Sequence, residues 1–324
     1  MRSNSKVKFD EPDLSSASTQ PLSGKVLAII VTYNRKHLLL RCMQALLAQK
    51  RKVDSILIID NHSCDGTYAH LEDNGILKVP AVEYIDTGEN LGGAGGFARG
   101  LSIASDRGFS WVWMMDDDAY PDQFCFSALW QHRRHDAAMC PMCIDENDPS
   151  SLAFSAPIGN TADNSSWRTS TIVKESQNHL YNGWGAFFNG TLIPMPIIRR
   201  IGIVNPEMFI WGDEEEYRLR ILRNNFSVIT VTTALLNHPK ERCDWVYITP
   251  KIKVIRFKKD WKHYSYYRNR GYISRKYSRT YGVLTLLLYT YYFFVIEKSI
   301  SKYKFFILAW NDGFFNRYKT KLPF

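Results

Sequence analysis

Over its first half the chain alternates apolar runs with segments of helical periodicity. "KVLAIIVTY" (25–33) and "DSILIID" (54–60) are almost continuously apolar, the pattern of strands buried on both faces of a parallel sheet. "AVEYID" predicts a third strand and "WVWMMD" (111–116) a fourth. Between them, "RKHLLLRCMQALLAQ" carries apolar residues at helical spacing, and "GGFARGLSIASDRG" predicts a helix closed by Gly108. "PDQFCFSALWQHRR" predicts a helix with Pro121 in its first turn. This alternation predicts an open α/β sheet. Residues 145–180 are polar and read as irregular. Order resumes with a helix near Pro196, then "EEEYRLRILRN", a helix whose acidic first turn suits its dipole, then a strand, "SVITVTTALL". Beyond residue 250 the pattern is helical, basic and aromatic.

In open α/β sheets ligands bind outside the carboxyl ends of the strands. The polar residues collect there: Thr32 and Arg35 after the first strand, Asp60 after the second, Asp116, Asp117 and Asp118 after the fourth. Carboxylates at D-x-D spacing on an extended segment point the same way, so Asp116 and Asp118 suit a shared Mg²⁺ or Mn²⁺ that leaves room for a diphosphate. The plainer reading is a solvated turn, with Asp118 as a helix cap. The cluster "GENLGGAGGFARG" permits close backbone approach to a ligand. It lacks G-x-G-x-x-G spacing and follows the third strand, which weighs against a dinucleotide-binding oxidoreductase. Asp213 and Glu214 follow Gly212, and a carboxylate there suits removal of a proton from an attacking hydroxyl. An acid-rich first turn accounts for Glu215 and Glu216 without chemistry. His238 in "LLNHPK" reads as a structural imidazole or as the completion of a metal shell.

The net charge of +9 is concentrated in residues 251–279. A basic, aromatic stretch fits anionic lipid, nucleic acid or a phosphate-bearing substrate, or is simply a solvated face. The first 24 residues are polar, without the apolar core of a signal peptide, and read as a disordered tail. The longest apolar run, Gly282 to Ile296, falls short of the roughly 20 residues that cross a bilayer, and predicts a buried or interfacial helix. Six scattered cysteines read as reduced thiols; the pair Cys140 and Cys143 lacks a second pair at zinc-ribbon spacing.

Taken in order, "VTYNR", "ILIIDNHSCDGT", "NLGGAGGFARG", "WVWMMDDDAYPD" and "NGTLIPMPIIRRIG…MFIWGDEEEYRLR" resemble the successive motifs of inverting family-2 glycosyltransferases of the GT-A fold, over roughly residues 25–240. The glycine stretch with a triple aspartate is most similar to bacterial galactofuranosyltransferases, with rhamnosyltransferases as near neighbours. The resemblance implies a mostly parallel nucleotide-binding sheet flanked by helices over residues 25–245, and a helical extension over 246–324. It implies that Thr32 and Arg35 line the nucleotide pocket and that Asp60 bonds the base. Asn90, Gly92 and Gly93 would approach the ribose and diphosphate, beside Asp116 and Asp117. Asp116, Asp118 and His238 would hold Mn²⁺ or Mg²⁺. The base falls at the second acid of an acidic pair, Glu214, with Asp213 as its rival because the family often has Asp there. Trp184 and Trp211 would line the acceptor site. Relatives carry two adjacent tryptophans where this chain has Trp184 and Gly185, which leaves acceptor and polymerising activity open.

The chemistry so implied is attack by an acceptor hydroxyl on the anomeric carbon of a UDP-sugar, with inversion. The sugar would be galactofuranose, the acceptor a glycan or lipid-linked glycan, and the setting surface-polysaccharide synthesis. The protein would be cytoplasmic and peripheral on the inner face of the membrane, with no nucleic-acid partner. Alternatives are a rhamnosyltransferase using dTDP-rhamnose, a nucleotidyltransferase, and a non-catalytic nucleotide-binding protein.

Overall fold

The computed structural model describes residues 23–159, 161–240, 244–249, 252–257 and 259–318. The expected N-terminal tail lies outside the described residues up to residue 22, and Cys243 lies outside them too. The first half runs β1 (Val26–Thr32), α1 (Lys36–Leu47), β2 (Ser55–Asp60), α2 (Thr67–Asp73), β3 (Val82–Asp86), α3 (Gly92–Asp106), β4 (Trp111–Asp116), β5 (Tyr120–Pro121), α4 (Cys125–Gln131) and β6 (Ala137–Asp145). It continues through β7 (Asp148–Ile158), β8 (Thr161–Arg168), α5 (Thr169–Glu175), β9 (Leu180–Asn182), β10 (Asn189–Pro194), α6 (Met195–Ile201), α7 (Asp213–Arg223) and β11 (Ser227–His238). A short antiparallel hairpin, β12 (Asp244–Tyr247) and β13 (Lys253–Arg256), leads into α8 (Asp260–Tyr277), α9 (Arg279–Tyr291), a π turn over Tyr292–Ile296, and α10 (Ile300–Phe314).

The central sheet has the order β3-β2-β1-β4-β10-β6-β11-β5, with β1 to β4 mutually parallel. Both faces are covered, which is why the strands read as continuous apolar runs. Ala28 and Ile30 of β1 pack with Trp113 and α1 on one face. Leu27, Ile29 and Val31 pack with α3, α6 and α7 on the other. The order reverses beside β1, so β1 and β4 end side by side with Val31 opposite Asp116. That places the first-strand residues and the triple aspartate at one crevice.

Three expectations are corrected. Pro121 does not open a helix. It pairs with Leu236 in β5, and the helix begins at Cys125. Residues 145–180 are not irregular: β7 and β8 form an antiparallel hairpin, continued by α5 and β9. Alternation there is weak because most of β7 is only partly buried. The C-terminal region begins with a hairpin before it becomes helical. Cys140 and Cys143 are buried on opposite faces of β6, as a three-residue offset along a strand requires, so they share no metal site.

Candidate functional site

β1 ends in Thr32 and β4 in Asp116, and the turn after β4 carries Asp117 and Asp118. Asp117 is almost fully buried. Its carboxylate accepts from Thr32 Oγ1 at 2.8 Å and from Arg35 Nη1 at 3.0 Å. Burial pushes it up to about 6, against the pull of Arg35 and Thr32. Arg35 also reaches Asp118 at 3.1 Å. Burial works against charge on Arg35, but Asp117 and Asp118 outweigh it and raise its pKa. Asp118 sits 3.2 Å from His238 Nε2, and although burial would raise it, His238 and Arg35 hold it below the usual carboxylate range. Asp116 has no such compensation. Burial and its two neighbouring aspartates drive it well above the usual range, with Arg35 the opposing charge.

His238 closes β11, and its Nδ1 lies 2.6 Å from the Pro239 carbonyl. A carbonyl only accepts, so Nδ1 carries a proton, which turns Nε2 toward the Asp118 oxygen. Without a metal the imidazole and the Asp118 oxygen share a proton across 3.2 Å; a cation would take that proton's place, and an imidazole whose other N–H is held by a backbone carbonyl is the usual form of a metal-ligating histidine. The three expected ligands are not gathered as one group: among the described residues no three His, Cys, Asp or Glu side chains stand as a metal shell. Asp118 and His238 form the pair that does meet. A hard divalent cation that takes its remaining ligands from phosphates and water needs no more than that from the protein.

Asp213 and Glu214 open α7, after a backbone that passes through left-handed conformations at Phe209, Trp211 and Gly212. Asp213 is fully buried. Burial, then the charge of and hydrogen bond with Glu214, keep it protonated far above the usual range. Glu214 is half-buried, and its Oε2 accepts from the Gly212 N–H at 3.0 Å. Asp213, kept protonated, is poorly placed to take up a proton, which favours Glu214 over its rival as a base. Glu214 raises the pKa of Asp116 and Asp116 that of Asp213, so the two acidic runs lie within electrostatic reach of each other. Glu216 differs: Arg220, Lys276 and Tyr277 all bond its carboxylate and, against burial, keep it ionised.

The remaining expected residues fall out unevenly. Asp60 is buried, and its oxygens are taken by the Ser63 N–H and hydroxyl and by the Tyr84 hydroxyl. It anchors the β2 loop instead of standing open to a base. Asn90 is exposed and accepts from the Gly92 N–H as α3 begins. Gly92 is explained by packing: a Cβ there would overlap the Phe209 carbonyl, and its φ is +69°. Gly93 borders the site, with its Cβ position 3.9 Å from Asp213 Oδ2. Trp184 packs partly buried between core clusters beside Gly185, where a Cβ would overlap Cys140 Sγ. A second tryptophan therefore has no room at position 185. Trp211 lies against Phe257, ring centroids 4.9 Å apart, and its indole N–H is buried without a partner in the protein.

Sequence reasoning missed Arg268 and Asn269 of α8, both buried against the loop before α7. The signal was present: Tyr264, Tyr267, Arg268 and Gly271 follow i, i+3, i+4, i+7 spacing, so Arg268 shares the apolar face.

Comparison with known proteins agrees with this fold. The family described as Glycosyl transferase family 2 matches residues 27–188. The chain is 32% identical to "Galactofuranosyltransferase GlfT1" of Mycolicibacterium smegmatis over 252 residues, 76% of this chain and 82% of that protein. It is 31% identical to the protein of the same name in Mycobacterium tuberculosis over 260 residues, 78% and 83% of the two chains. Among solved structures, GalNAc-T7 with UDP, GalNAc and Mn²⁺ superposes with a TM-score of 0.55 at 13% identity, over 86% of this chain and 58% of that one. The last likeness speaks to the fold alone.

Proposed function

The chain belongs to glycosyl transferase family 2 and is a glycosyltransferase of the GT-A fold; from that premise we propose that it transfers galactofuranose from UDP-galactofuranose, with inversion, to a hydroxyl of a glycan or lipid-linked glycan. The observation that carries the mechanism is the protonated Asp213 beside an N–H-anchored Glu214, within electrostatic reach of Asp116. Glu214 takes the proton of the acceptor hydroxyl as that oxygen attacks the anomeric carbon from the face opposite the diphosphate. The hydroxyl oxygen gains the sugar, and UDP leaves with the bonding pair. Thr32 and Arg35, tied through Asp117, form the nucleotide side of the crevice. Asp118 and His238 would hold Mn²⁺ or Mg²⁺, which when bound neutralises charge on a departing diphosphate. Trp211, three residues before Glu214 and packed on Phe257, would supply an apolar wall to an acceptor sugar.

The galactofuranosyl assignment rests on likeness to the two galactofuranosyltransferases, at 31–32% identity along most of the chain. We place the protein on the inner face of a membrane. No helix among the described residues is long and apolar enough to cross a bilayer. α9 and the π turn nevertheless turn Val283, Leu284, Leu287, Tyr291, Phe294 and Val295 outward, with Arg279, Lys298 and Lys304 exposed around them. An apolar patch rimmed by cations suits an anionic lipid surface.

Calorimetric titration with nucleotide sugars tests the donor. UDP-galactofuranose is expected to bind in Mn²⁺ and to lose at least tenfold in affinity with EDTA. A preference for dTDP-rhamnose would keep the mechanism and replace the sugar. Binding of neither by folded protein would overturn the reading.

A further inference from the structure

The loop that delivers Glu214 is conformationally costly. Phe209 has φ 62°, Trp211 φ 67° and Gly212 φ 100°, and a non-glycine residue with positive φ persists only where its surroundings impose it. Two elements do so. From α3, the Ala94 N–H donates to the Phe209 carbonyl at 3.1 Å. From α8, the fully buried Asn269 aims one amide at three carbonyls of this loop: Nδ2 lies 2.8 Å from Met208 O, 3.1 Å from Ile210 O and 2.8 Å from Trp211 O. Arg268 Nε donates to Asn269 Oδ1 at 3.2 Å, which settles which end of the amide faces the loop. The Arg268 guanidinium also donates to Glu207 O at 3.0 Å and Met208 O at 2.8 Å. Helix α10 holds α8 in place, since a Cβ on Gly313 would overlap the Arg268 carbonyl and one on Gly271 the Trp310 carbonyl.

One peptide group joins this strap to the chemistry. The carbonyl of Trp211 and the N–H of Gly212 belong to the same planar unit. Asn269 holds its oxygen, and its N–H donates to Glu214 Oε2 at 3.0 Å. We propose that Asn269 is the positioning residue for transfer: it fixes the Trp211–Gly212 peptide, and through that peptide's N–H it sets the orientation of the Glu214 carboxylate. The inference rests on Glu214 as the base proposed above. It gives the C-terminal helices a task in turnover, separate from any lipid contact, because α8 meets the loop on its buried face.

A double-mutant cycle on the full chain tests it, because a residue that acts only through another adds nothing once the other is gone. Release of UDP from UDP-galactofuranose would be followed in Mn²⁺ with octyl galactoside as acceptor, and donor affinity measured alongside. Asn269→Ala is expected to lower kcat about 10²-fold with donor affinity within threefold. On a Glu214→Gln background the same change is expected to cost less than threefold. Multiplicative losses in the double variant would overturn the inference while leaving Glu214 as base. Full turnover in Glu214→Gln alone would instead refute the reading beneath it. Asn269→Asp, which keeps the shape and gives up donors, is carried in parallel. If both Asn269 variants lose donor binding as steeply as turnover, the residue is structural and the proposal fails.

Discussion

Asp116–Asp118 and Asp213–Glu216 are both short runs of acid within electrostatic reach of each other, and the fold neutralises them differently. In each run some members are fully partnered. Asp117 has Thr32 and Arg35, and Asp118 has Arg35 and His238. Glu215 has Arg270 at 2.6 Å, and Glu216 has Arg220, Lys276 and Tyr277. The others have partners that do not cancel charge: Asp116 crowded by like charge, Asp213 and Glu214 sharing a hydrogen bond. The first run turns an Asp118 oxygen toward a histidine nitrogen, an arrangement that suits a cation. The second sets a neutral Asp213 beside the Glu214 carboxyl, an arrangement that suits moving a proton. The difference separates carboxylates that hold the structure from those proposed to work on a substrate, although they are neighbours in the sequence.

The largest test of that division is Glu214→Gln. It keeps size and hydrogen bonding and removes the acceptor of the proton. Transfer is expected to fall about 10³-fold with UDP-sugar affinity unchanged, read by turnover and by calorimetry. Retained transfer would pass the role to Asp213 and erase the contrast between the runs.

Glu216→Gln probes the opposite class. Its carboxylate is buried and receives bonds from Arg220 of α7 and from Lys276 and Tyr277 of α8. Removing its charge leaves Arg220 under-compensated, so unfolding stability is expected to fall by about 3 kcal/mol in a urea melt. The donor site proposed above lies at the other run, so donor affinity in the folded fraction should hold. A stable but donor-blind variant would show that Glu216 belongs to the chemistry after all.

Which parts of this were legible follows from what burial does to a sequence. Strands β1, β2 and β4 were plain because both faces are covered, so no polar residue interrupts them. The strand-end acids were plain because charge after such a run is conspicuous. The glycine cluster drew notice for a ligand, yet Gly92 is spent on the Phe209 backbone, and Gly96 and Gly100 on Val31 and Ile29 of β1. Local pattern reports close approach without naming what approaches. The β7–β8 hairpin was hidden by its half-exposed, Ser-rich strands. In α8 the basic and aromatic composition advertised a surface, while Arg268 and Asn269 turn inward to satisfy carbonyls that no local pattern predicts would be unpaired.

The smallest effect sharpens the comparison most. Asp213 keeps its proton in the folded chain because burial and Glu214 raise its pKa. An unfolded aspartate releases its proton near pH 4. Above that pH the folded state binds a proton that the unfolded state does not, so stability declines as pH rises toward the folded pKa. An asparagine in its place would donate to Glu214 as the protonated acid does, without titrating. Asp213→Asn is therefore expected to melt like the parent at pH 4 and about 2–4 °C higher at pH 8. If Asp213 is the silent partner, transfer stays within tenfold of the parent. A variant that is more stable and inactive would make Asp213 the base. One that is less stable at pH 8 would mean that the carboxyl is ionised and paired, and the second run would then be neutralised like the first.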